Sequence, residues 1–102
     1  MTQVPEKWRE LPLAEQMANI GSEVHRMAVF SSRGDTEHLR NAGERALDLI
    51  EATITARGGA EKRELTLLKD VVRDAMHGSK EYAISYEMLE SYFLPFAIRA
   101  RS

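Results

Sequence analysis

The polar residues whose spacing best suits chemistry lie between Glu15 and Arg26. On a helix, Glu15, Asn19, Ser22 and Arg26 recur at steps of four, three and four, which puts them on one face. A carboxylate, an amide, a hydroxyl and a guanidinium gathered there would suit the grip of a polar ligand or a partner protein. Gln16 and Glu23 fall beside the apolar stripe of the same segment, where a polar group needs a hydrogen-bond partner. Gln16, Asn19, Glu23 and Arg26 are therefore the candidate binding residues. The competing account is a solvated face, held by Asn19 with Glu23 or Ser22 with Arg26 across one turn.

Other constellations are weaker. Two Asp-x-x-His pairs, Asp35 with His38 and Asp74 with His77, have a step that can turn a carboxylate and an imidazole toward one metal ion. Both fall at expected helix ends, where Asp35 suits an N-cap and a protonated His77 suits the C-terminal dipole. Two-metal helical bundles use Glu-x-x-His, which this sequence lacks, so neither a metal nor a cofactor is expected. Arg33 and His38 have an Arg-x4-His spacing that resembles the catalytic motif of HEPN ribonucleases, helical bundles that dimerise. That resemblance covers two residues and implies an arginine and a histidine acting on a scissile phosphate in a shared groove. Gly34 stands where the motif usually has a polar residue. There is no Gly-rich phosphate loop, nucleophile elbow or cysteine to support other catalysis. Tyr82, Tyr86, Tyr92, Phe93, Phe96, Arg99 and Arg101 mix aromatic and basic residues, as single-strand nucleic-acid binders do. Tyr92, Phe93 and Phe96 nevertheless keep core spacing, and a packed bundle end is expected rather than a nucleic-acid surface.

These residues must be positioned by one small domain. The chain has 102 residues, enough for a single core spanning 1–102. Its 43% apolar and 29% charged residues describe a folded chain, and a net charge of −2 gives no pull toward nucleic acid or anionic membrane. The absence of cysteine fits a reducing cytosol. Charged residues at Glu6, Lys7, Arg9 and Glu10 disfavour a signal peptide, and no apolar run approaches the ~20 residues of a membrane span. A cytoplasmic location with no membrane partner is the expectation.

Helical periodicity runs through the chain. Residues 1–11 form an arm with Val4, Trp8 and Leu11 on one apolar edge. A first helix starts near Pro12 and repeats Leu13, Met17, Ile20, Val24, Met27 and Ser31. Beside that stripe Ala14, Ala18, Gly21 and Ala28 form a row of small residues that admits a close neighbour. Arg33-Gly34-Asp35 breaks the helix and caps a second one from Thr36 to about Arg57. Its inward positions are Leu39, Gly43, Ala46, Leu47, Ile50, Thr53 and Ile54, and Gly58-Gly59 stops it. A third helix runs from Ala60 or Glu61 to His77 around Leu65, Leu68, Val71, Val72, Ala75 and Met76. Ser85 caps a fourth, with Met88, Leu89, Tyr92, Phe93, Phe96 and Ala97, and Pro95 predicts a kink or break near Leu94. Short connections predict an all-α, antiparallel up-and-down bundle of four helices with an N-terminal arm.

Leu13 to Val24, the Arg45–Ile50 element, Glu81-Tyr82, Ser85, Tyr92-Phe93, Phe96-Ala97 and the closing arginines together resemble a group of small uncharacterised prokaryotic all-helical proteins. The resemblance covers most of the chain and transfers no activity. It implies that Gln16, Asn19, Glu23 and Tyr82 belong to a shared pattern. The general shape is also similar to the four-helix-bundle protein group of small oligomeric scaffolds, at the level of fold alone. The long first two helices would leave apolar surface beyond the shorter pair. A homodimer acting as a protein-interaction or scaffold module is therefore the expectation, with a protein partner as the further one.

Overall fold

Two of the helix starts in this protein are set by side chains that satisfy the first free amides of the helix. Asp35 accepts the His38 backbone N–H at 3.1 Å, and Ser85 accepts that of Met88 at 3.1 Å. Gly34 and Gly58 have positive φ, as the breaks on either side of the second helix require. The computed structural model describes residues 4–102. Met1 to Gln3, the start of the expected arm, lie outside the described residues. Four helices follow one another: α1 Leu13–Ser32, α2 Thr36–Arg57, α3 Lys62–Met76 and α4 Tyr86–Ala100. Single 3-10 turns at Trp8–Glu10 and Gly59–Glu61 precede α1 and α3. No strand occurs among the described residues, and none of their helices is long and apolar enough to cross a membrane.

Side-chain pairs give the helix directions. Gln16 meets Arg57 and Glu23 meets Arg45, so α1 and α2 run antiparallel. Glu51 with Lys69 and Gly43 beside Met76 set α2 antiparallel to α3, and His25 with Glu90 and Gly21 beside Phe93 do the same for α1 and α4. The backbone-close seams are α1–α2, α1–α4 and α2–α3. α3 and α4 complete the bundle mainly through side chains, among them Tyr92 to Glu64 and Tyr86 to the Ala75 carbonyl. One of the four edges is therefore loose.

The core explains this order. α1 contributes Met17, Ile20, Val24 and Met27, α2 contributes Ala42, Ala46, Leu49 and Ile50, and α3 contributes Leu65, Leu68, Val71, Val72 and Ala75. α4 adds only Leu89 and Phe93 as buried side chains. Gly21 lets α4 come close, since a methyl group there would lie 2.8 Å from Phe93 Cβ. Gly43 does the same for α3, where a Cβ would meet the Met76 side chain. The row of small residues on α1 thus receives the fourth helix at Gly21. Pro95 sits on an exposed position inside an uninterrupted α4, so the helix does not break at Leu94. Ser91, whose carbonyl Pro95 leaves without a backbone donor, is itself an exposed residue, which reduces the cost of continuing.

Candidate functional site

The polar residues singled out on α1 separate into two groups. Gln16 is 0% exposed and takes part in the seating of the N-terminal arm. Its amide N–H donates to the Trp8 carbonyl at 2.8 Å, and its amide oxygen accepts from Arg57 Nε at 2.8 Å. Trp8 is 2% exposed, and its indole N–H donates to Thr53 Oγ1 at 3.0 Å, while Thr53 itself donates to the Leu49 carbonyl. Arg57 also reaches the Leu11 carbonyl at 3.2 Å. Arm, α1 and α2 are joined by one satisfied network, in which Gln16 uses both ends of its side chain.

Glu23 has a comparable position further along the same seam. Its carboxylate accepts from Arg26 at 2.8 Å and from Arg45 at 3.0 Å, linking α1 to α2 from a largely shielded position. Asn19 and Ser22 each donate back to their own helix, to the Glu15 and Ala18 carbonyls, and not to Glu23 or Arg26. Of the four candidate binding residues, then, Gln16 and Glu23 are engaged inside the bundle. Asn19 and Arg26 remain exposed.

Arg26 borders a groove of about 410 Å³ between α1 and α4, with Ala18, Gly21, Ser22, His25, Glu90, Phe93, Leu94 and Ala97 around it. The His25 ring nitrogen bonds to Glu90 across it. Further round α4, Leu94 is 55% exposed, Ile98 54% and Met88 58%. Met88 also lines a second, almost wholly apolar groove of about 250 Å³ with Leu67, Leu68, Val71, Ile84, Leu89 and Tyr92, along the loose α3–α4 edge. α4 thus presents apolar side chains inward, toward α3 and outward.

No match is found when the chain is compared with protein-family models, curated proteins and solved structures. What the surface can do follows from its own chemistry. The Asp-x-x-His pairs have structural work. Asp35 caps α2 and bonds His38 Nδ1 at 2.8 Å, and the His38 amide holds its carboxyl below the ordinary range. Asp74 accepts the Glu81 and Tyr82 backbone N–H groups and so fastens the α3–α4 connection. No cluster of three or more metal-ligating side chains occurs among the described residues. Arg33 ends α1 and His38 opens α2, both exposed, at one corner of the bundle. There the His38 ring packs at 5.2 Å on Phe30.

The residues that periodicity undervalued are Leu94 and Ile98. Their signal was the apolar character of α4 beyond its inward stripe, and it was readable only by asking which face is left once Leu89 and Phe93 point inward.

Proposed function

We propose that this chain is a non-catalytic protein-interaction module that self-associates, with the outward face of α4 as its contact surface. The observation that carries this reading is that Leu94 and Ile98, two large aliphatic side chains one helical turn apart, are both more than half exposed on the same side of α4. Covering such a pair removes apolar area from water at ~25 cal/mol per Å², and contiguous patches of this kind mark interaction sites more often than single exposed residues do. Arg26 and Ser22, along the neighbouring groove, supply the polar border that a contact needs for orientation. Gln16 and Glu23 support this surface indirectly, by holding α1 against the arm and α2.

The test is solution mass by light scattering after size exclusion, across about a hundredfold dilution, because self-association follows mass action. The expected result is a species heavier than one 11.6 kDa chain that dissociates in the Leu94→Glu variant, with circular dichroism unchanged. A wild-type chain that stays at 11.6 kDa at every concentration rules the proposal out.

A further inference from the structure

The outward face of α4 has an order of charges that specifies how a second copy would lie on it. Reading along the helix, Glu87, Ser91, Leu94, Ile98 and Arg101 recur at steps of four, three, four and three. That is the spacing of a seam between two packed helices. Leu94 stands at its middle. Glu87 lies seven residues before it and Arg101 seven residues after it, so acid and base are symmetric about Leu94. Arg101, the C-cap, keeps right-handed helical geometry (φ −92°, ψ −5°) and stays in register with the seam.

Resting on the self-association proposed above, we infer that two copies pair through α4 in an antiparallel, two-fold arrangement centred on Leu94, with Glu87 of each copy facing Arg101 of the other. A two-fold interface brings a patch against itself, so its two halves must complement each other. Antiparallel pairing meets this condition: Leu94 meets its own mate, Ser91 comes within one residue's rise of the mate's Ile98, and both ends join a carboxylate to a guanidinium. Parallel pairing would set Glu87 against Glu87 and Arg101 against Arg101, which like-charge repulsion disfavours. Both charges are free to pair, since among the described residues neither Glu87 nor Arg101 has a partner of its own. An acid early and a base late in a helix also suit its own dipole. The dipole, however, gives no reason for exposed Leu94 and Ile98 between them, whereas a self-paired seam accounts for all four.

Charge exchange tests the arrangement. Glu87→Arg and Arg101→Glu should each weaken the dimer roughly tenfold or more, because each single variant creates two like-charge contacts per dimer. The double variant, with the charges swapped, should recover wild-type affinity. The protein has no cysteine, so a Leu94→Cys thiol has only its symmetry mate to react with. A short bis-maleimide should join two chains of that variant and should not join two chains of Glu44→Cys, on exposed α2 surface. A wild-type dimer whose affinity ignores both single reversals, or which cross-links no better at position 94 than at 44, overturns the antiparallel seam while leaving self-association standing. A wild-type chain that is monomeric throughout overturns both.

Discussion

The two sides of this bundle are built on different chemistry. Where the arm meets α1 and α2, buried apolar side chains are combined with a chain of hydrogen bonds from Thr53 through Trp8 and Gln16 to Arg57. Every buried side-chain nitrogen and oxygen among the described residues has a partner. On the other side, α3 and α4 meet across an apolar groove bridged by two phenols, and α4 leaves Met88, Leu94 and Ile98 in solvent. The closed side fixes a single arrangement, because a polar network in a low-dielectric interior is costly to disturb. The open side keeps apolar area available for another surface. Buried polar cross-links and exposed apolar area are thereby concentrated in different parts of one small domain.

The largest effect should come from the closed side. Trp8→Ala removes the only large buried side chain among the arm's described residues and leaves Thr53 without its indole donor. A loss of ~3–5 kcal/mol is expected for truncating a buried tryptophan. Urea denaturation followed by far-ultraviolet circular dichroism measures it, since the variant lacks the sole tryptophan. A loss below ~1 kcal/mol would mean that the arm is an accessory and that the contrast between the halves is false.

Gln16→Leu should rank next. Leucine retains the bulk but leaves Arg57 Nε without its partner and the Trp8 carbonyl with the Leu11 N–H alone, at a cost of ~1–3 kcal/mol. If Gln16 instead served a ligand, its removal would be neutral or stabilising in the free protein. The same urea titration therefore separates an arm-anchoring role from a binding one.

Gln16 also illustrates what the sequence could and could not reveal. Its place beside the apolar stripe identified it as a polar residue in need of partners, but those partners, Trp8 and Arg57, lie 8 and 41 positions away. Periodicity describes one helix at a time and carries no information about pairs that only folding brings together. Glu23 with Arg45 is the same case. Local rules did better. The span of α2, the Asp35 and Ser85 caps, the stripe on α1 and the close approach at Gly21 follow from turn chemistry and side-chain size. Periodicity makes the stripe on α2 too narrow, without Ala42 and Leu49, because that helix is packed by α1 on one side and α3 on the other. The loose α3–α4 edge was hidden for a related reason. A connection between consecutive helices says that they are near each other, whereas α4 takes its closest packing from α1.

The two helix-packing glycines give a smaller and more discriminating comparison. Gly21→Ala drives a methyl group against Phe93 Cβ and Cγ, atoms fixed close to the backbone of α4, so the helices themselves must separate. Gly43→Ala meets Met76 Cγ, Sδ and Cε at even shorter distances, but these belong to a flexible side chain that can swing aside. Overpacking costs ~1–3 kcal/mol, against ~1 kcal/mol gained by alanine over glycine in a helix. Gly21→Ala should therefore be destabilising and Gly43→Ala close to neutral, as read from thermal midpoints. The reverse order would place the tighter seam at α2–α3.

The smallest effect belongs to the open edge and changes with pH. The Tyr92 hydroxyl donates to Glu64 Oε2 at 2.6 Å across the α3–α4 groove. Burial first, then this bond and the negative charge of Glu64, raise its ionisation above the ordinary value near 10. An acid whose folded pKa is raised favours the fold while it stays protonated. The contribution is complete below the unfolded value of ~10 and is lost as pH rises from there toward the folded value. Tyr92→Phe should lose about 0.5–1 kcal/mol at pH 7, the lower range for a partly exposed hydrogen bond. Above pH ~10 the variant should lose less further stability than the wild type. Tyr86, also raised by burial, is present in both proteins, so the difference between their curves isolates Tyr92. Urea midpoints at neutral and alkaline pH measure it. Parallel curves would mean that the Tyr92 phenol bridges nothing and that α3 and α4 are held by Tyr86 and their apolar contacts.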